Sequence, residues 1–354
     1  MKKNRILYLD VLRSIAILLV VLCHSIESAY PNLYGLSFQS QFFKIVLFTF
    51  SRLGVPIFLF LTGALVLKKD FNNDEDVKKF YKHNLLPLII TYEIWVVIYN
   101  LFNLIMYNNF VAKDFLYEIL FLKNCSNMIH IWYMPTIIGI YLVLPFISKI
   151  INVFSKKLLS YFLILSIFAN FFVPSINILS QIFNFDGIAF VLDFYFLGSC
   201  YGIYVIIGYY LDNGLLKNFK SYQLILMFLL FFSFTIFVQW YSMDKAFTYM
   251  VWYNFVTVLP CGMCIYEIIK RKFVFKSYTH KIFKKIVSEI SKISSAIYYL
   301  HLPFILIFNK YISINCSKPF LTIIIFVFSM ISSVLFIEIF SNVKVIKKYV
   351  FFIK

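Results

Sequence analysis

Residues 6–29 read ILYLDVLRSIAILLVVLCHSIESA, an apolar run long enough to cross a bilayer and interrupted by Asp10, Arg13 and His24. A helix turns about 100° per residue, so the 11 steps from Arg13 to His24 bring the two onto one face, about 16 Å apart along the axis. Asp10 falls within about 60° of both on the helical wheel and joins that face. Three ionisable groups aligned in a membrane span are costly to hold against lipid, so this face is expected to line a polar pathway inside the protein.

The remainder of the chain supports a membrane setting. Of 354 residues, 62% are hydrophobic, 21% aromatic and only 14% charged, and mean hydropathy is +0.84. The apolar runs are continuous rather than alternating, which argues for helices and against a β-barrel. With about 20 residues needed per crossing, ten spans are expected: 6–29, 42–67, 85–107, 130–154, 158–183, 190–211, 222–242, 247–269, 296–314 and 320–341. The expected fold class is thus all-α, a polytopic integral membrane protein with both termini cytoplasmic, read as a single transmembrane unit over 1–354. The +17 net charge follows from topology. Of the 33 lysines and arginines, 25 fall toward one side and six toward the other, with Arg13 and Arg52 inside spans. Basic loops on one face are the positive-inside pattern, and they satisfy the charge without nucleic acid as a partner.

Other polar positions stand out in order. In the second span, FSRLGVPIFLFLTG places Arg52 just before Pro56, which should break the helix. Arg52 either partners the freed backbone or lines the cavity of Arg13 and His24. The loop 68–84 carries Lys78, Lys79, Lys82 and His83, either a solvated turn or a basic surface for phosphates. The segment FLYEILFLKN, within 108–128, is amphipathic and is expected to lie in the interface. His130, Trp132 and Tyr133 open the fourth span where aromatic belts sit, with His130 entering on the side where His24 emerges. Asp193 starts the sixth span, as a solvated acid or as a counter-ion for the polar face. Residues 270–295 read as a basic helix on the inner leaflet, followed by a ninth span with His301 two residues before Pro303. Cys261 and Cys264 have redox spacing but read as small packing residues. Cys125 and Cys316 both fall in outer loops and could form a disulfide. No metal-ligand set is read from the sequence.

These motifs together resemble membrane acyltransferase family 3. Asp10-Val-Leu-Arg13 with His24 is similar to its D-x-L-R signature and R-x10-H spacing. Arg52 with Val55-Pro56 and Thr62-Gly63 is similar to its second span. His130-x-Trp132-Tyr133 with Gly139, Tyr141 and Pro145 is similar to its H-L-W segment. Ile297-Tyr298 with His301 and Pro303 is similar to its late I-Y-L-x-H-x-P segment. An arginine pair that the family usually carries before the third span is replaced here by Lys82 and His83.

The resemblance implies an O-acyltransferase in the bacterial cytoplasmic membrane. It would move an acetyl or similar group from cytosolic acyl-CoA, a co-substrate rather than a resident cofactor, to a hydroxyl of a surface glycan or its lipid-linked precursor. His24 would act as base or covalent relay, Arg13 would steady the donor, and Asp10 would fix Arg13. Arg52, Glu27, His130, Trp132, Tyr133, Asp193 and His301 would line the substrate site, and Lys82 and His83 would grip donor phosphates. A homodimer or association with polysaccharide-assembly proteins would be compatible with this role. The competing class is a transporter or flippase for a lipid-linked sugar, which also uses many spans and a charged interior.

Overall fold

The computed structural model describes residues 6–31, 36–125, 128–189, 199–244, 249–274 and 281–353. Asp193 and His280 lie outside them. The described elements are helical, with no strand among them.

Helix α1 (Leu7–Ala29) is followed by α2 (Phe38–Ser51) and α3 (Gly54–Val66), separated by the turn at Arg52 and Leu53. The break ahead of Pro56 is the one expected. The short α4 (Asp74–Phe80) then leads through a π-helical turn (Tyr81–Leu85) into α5 (Leu86–Tyr107). After α6 (Ala112–Ile119), a 3-10 turn (Ile129–Trp132) opens α7 (Tyr133–Val153). Next come α8 (Lys156–Ile167), a second π-helical turn (Phe168–Phe172) and α9 (Val173–Phe183). Both π-helical turns lie just before a proline, Pro87 or Pro174, whose missing N–H removes a regular rung.

The chain continues with α10 (Ser199–Asp212), α11 (Ser221–Asp244), α12 (Val258–Val274), α13 (Lys281–Tyr311) and α14 (Lys318–Phe340). Eight of the helical stretches among the described residues are long and apolar enough to cross a membrane. The expected eighth span is represented by α12 with 17 residues, and the part of the expected sixth span that lies among the described residues by α10 with 14.

The late start of α12 has a local cause. Backbone N–H groups of Met250 and Val251 go to the Gln239 side chain, at 3.0 and 3.1 Å, and that of Val256 goes to Ser175 Oγ at 2.7 Å. Side chains that take these donors replace helical rungs. The chain from 281 also departs from expectation. The supposed inner-leaflet helix and ninth span form one 31-residue helix, α13. Its first half is held by α1, with Ser14 Oγ donating to the Val287 carbonyl at 2.9 Å and Ser291 Oγ to Asp10 Oδ1 at 2.6 Å.

Helix α1 is the axis of the bundle, packed by α2, α3, α12, α13 and α14. Most of its residues are buried, including Leu12, Ala16, Ile17, Val21 and Ile26. The tightest pairing elsewhere is α3 on α10. A Cβ built on Gly63 would lie 1.8 Å from the Val205 carbonyl, and one on Gly208 would lie 2.2 Å from that of Phe60. Only glycine at both positions allows this approach, as small residues do between membrane helices.

The segment around Glu118 does more than lie at an interface. Glu118 is buried and accepts from Asn100 Nδ2 at 2.6 Å and from Cys125 Sγ at 3.2 Å. Cys125 and Cys316, considered above for a disulfide, are both free thiols. Cys261 and Cys264 are buried, free thiols on α12 beside Gly262, whose added Cβ would meet the Phe60 ring at 2.9 Å, as packing residues would be.

Candidate active site

Three histidines from distant parts of the sequence meet beside the C-terminal half of α1. His24 is one turn from the end of that helix, His130 lies in the 3-10 turn before α7, and His301 lies in α13. Ring centroids are 5.3 Å apart for His24 and His301, 4.9 Å for His130 and His301, and 6.1 Å for His24 and His130. His130 and His301 are buried, at 2% and 0% exposure, whereas the His24 side chain keeps 14%. His24 is thus the most exposed of the three rings. No group of His, Cys, Asp or Glu side chains placed to hold a metal ion is found among the described residues.

Each ring is oriented by a neighbour. His24 Nδ1 lies 2.7 Å from Glu27 Oε2. A carboxylate only accepts, so Nδ1 carries the hydrogen and the neutral ring keeps a bare Nε2. His301 Nδ1 lies 3.1 Å from the Ile297 carbonyl, which by the same logic leaves its buried Nε2 bare and without a protein partner. The His301 backbone is fixed by Ser329 Oγ, 2.9 Å from its carbonyl. His130 Nε2 lies 3.1 Å from the Tyr99 hydroxyl, and the Tyr298 hydroxyl donates to the His130 carbonyl.

Arg52 is placed at this end of α1, within electrostatic reach of Glu27 and Cys23. The break between α2 and α3 seats Gly54 on α1, where an added Cβ would lie 2.7 Å from the Ala16 carbonyl. Arg52 is 7% exposed, and its guanidinium is faced by four rings: Trp252 at 4.1 Å, Tyr253 at 4.7 Å, Tyr249 at 5.2 Å and Phe48 at 5.4 Å from its carbon to the centroids. Its Nε has no hydrogen-bond partner. Aromatic faces hold a cation in place while leaving its in-plane N–H groups available.

Trp132 and Tyr133 turn inward rather than forming only an outer belt. The Trp132 ring lies 5.4 Å from Tyr201 and 5.6 Å from Tyr253, linking the cluster to the Arg52 cage. Tyr133 lies 5.9 Å from Tyr298 and within electrostatic reach of Arg13, as does Tyr141. Arg13 therefore occupies the other end of an aromatic row. Asp10, beyond it, is buried and takes the Ser291 hydroxyl.

Lys82 and His83 are not part of this assembly. Both are exposed in the π-helical turn before α5, with His83 Nδ1 bonded locally to the Lys79 carbonyl at 2.9 Å. His83 and Tyr99 are separated by 16 positions, about 24 Å of helix. Tyr99, Tyr249 and Trp252 escaped the sequence reading. A signal exists for Tyr99: Pro303 implies a bare carbonyl at Tyr299, hence a donor from elsewhere. The sequence does not say which residue supplies it.

No curated protein and no solved structure matches the chain. The family described as acyltransferase domain matches residues 6–339, nearly the whole chain, and takes in all three histidines, Arg13 and Arg52. This protein belongs to acyltransferase family 3 and is a multi-pass membrane acyltransferase.

Proposed function

We propose that the protein transfers an acetyl or similar short acyl group from cytosolic acyl-CoA to a hydroxyl of a cell-surface glycan or its lipid-linked precursor. The observation that carries this reading is the partly accessible His24, aimed by Glu27 at the edge of a buried imidazole cluster. A free hydroxyl is a weak nucleophile near neutral pH and needs such a base. In the step proposed, His24 Nε2 takes the hydroxyl proton as the oxygen bonds to the thioester carbonyl carbon. The carbon–sulfur bond then breaks, and the thiolate recovers the proton from the imidazolium. Arg52 supplies fixed positive charge for the oxyanion.

Arg13, about 16 Å along α1 from His24, is assigned to the donor's anionic groups at the cytosolic end. In this reading the thioester reaches the base past Tyr133 and Tyr141, which lie within electrostatic reach of Arg13.

The test compares acyl groups on cell-envelope sugars by mass spectrometry in a deletion strain complemented with wild type or His24→Ala. Acyl content restored by wild type and absent with the variant, at equal membrane abundance, is the expected result. Equal content with both variants removes His24 from the chemistry. A change in glycan amount without a change in decoration favours a transporter.

A further inference from the structure

Tyr99 is fully buried on α5 and its single hydroxyl reaches two groups. It lies 2.8 Å from the Tyr299 carbonyl and 3.1 Å from His130 Nε2. Tyr299 is four residues before Pro303, and a proline has no N–H to give the carbonyl one turn back. Tyr99 supplies that missing donor from another helix. A carbonyl has only lone pairs, so the phenolic hydrogen is committed to Tyr299. The phenolic oxygen can then only accept from His130, and the hydrogen of the neutral imidazole sits on Nε2. His130 Nδ1 is left bare, buried and without a protein partner. The ring lies among His24 and His301, and its backbone is held separately by Tyr298.

We propose that Tyr99 is a positioning residue for acyl transfer, locking His130 in the tautomer that offers a hydrogen-bond acceptor, not a donor, to a hydroxyl-bearing acceptor held beside His24. The catalytic meaning rests on the acyltransfer reading above, whereas the tautomer follows from Tyr99, Pro303 and His130 alone. The ring of Tyr99 also packs 5.2 Å from that of Trp95, so Tyr99→Phe keeps the packing and removes only the hydroxyl. Tyr99→Phe is expected to lower glycan acylation about 2- to 10-fold, the effect of losing one neutral hydrogen bond.

The experiment uses full-length protein labelled with 15N-histidine in lipid bilayers. The chain has five histidines, and the His130 signals are assigned with His130→Gln. Nitrogen-15 NMR of the wild type is expected to show His130 with hydrogen on Nε2 and a bare Nδ1. Tyr99→Phe should redistribute the hydrogen between the two nitrogens. Pro303→Ala supplies a second arm: it restores an N–H to the Tyr299 carbonyl, frees the phenolic hydrogen to turn to Nε2, and should move the imidazole hydrogen to Nδ1.

Hydrogen on Nδ1 in the wild type, or an unchanged tautomer in both variants, overturns the proposal. A shifted tautomer with full glycan acylation in Tyr99→Phe overturns the positioning role. A wild type that acylates no glycan defeats the acyltransfer reading instead, and the NMR result still decides the link between Tyr99 and His130.

Discussion

His24 and Glu27, one helical turn apart at the end of α1, are joined at 2.7 Å between imidazole Nδ1 and a carboxylate oxygen. The pair fixes which nitrogen of a neutral His24 stays bare, and it does so within one helix. Glu27→Gln keeps an acceptor for the Nδ1 hydrogen but loses the charge that steadies an imidazolium. Glycan acylation is expected to fall about 10- to 100-fold with wild-type membrane abundance, as for loss of a hydrogen bond to a charged group, measured by acyl content of cell-envelope sugars. Unchanged acylation would mean that the carboxylate plays no part in the reaction.

The aromatic cage makes a different demand at Arg52. Four rings contact one planar cation, and a lysine ammonium keeps the charge without the plane or the fork of donors. Arg52→Lys is expected to lower acylation roughly tenfold or more, since it keeps a cation over the rings but loses the planar fork, a hydrogen bond to a charged group being worth about 1.5–3 kcal/mol. Trp252→Leu, which removes the nearest ring, should weaken activity in the same direction. Full activity in both variants would show that the guanidinium serves packing only.

Glycines at helix crossings give a stability prediction with a built-in control. Gly63→Ala on α3 would place a Cβ at 1.8 Å from the Val205 carbonyl, so α3 and α10 must separate, whereas nothing lies within 4 Å of a Cβ at Gly139 on α7. Overpacking of this kind costs about 1–3 kcal/mol or more. Gly139→Ala should be neutral or slightly stabilising, by up to about 1 kcal/mol from helix propensity. Thermal unfolding of both purified variants in detergent checks the contrast. Equal melting temperatures would mean that α3 and α10 separate at no cost in stability.

The sequence alone determined what is local and periodic. The apolar runs marked a helical membrane protein because hydrocarbon tolerates no unpaired backbone. The 11-residue interval from Arg13 to His24 placed both on one face because the helical period is fixed. Pro56 ended α2 because proline lacks an N–H. These inferences need only neighbouring residues, and the motifs that signalled the family lie within single spans.

Tertiary structure decided what depends on which helices touch. His24, His130 and His301 come together only because α13 and the entry to α7 pack against the end of α1. The Arg52 cage draws on Phe48 and on residues 249–253, a stretch the hydropathy pattern assigns to a span. The side chains of Gln239 and Ser175 hold that stretch out of the helix. Lys82 and His83, plausible phosphate ligands by composition, sit well over 20 Å of helix from Tyr99. Hydropathy records how much apolar surface each helix carries. It does not record which partner covers that surface, because steric fit between side chains far apart in the sequence makes that choice.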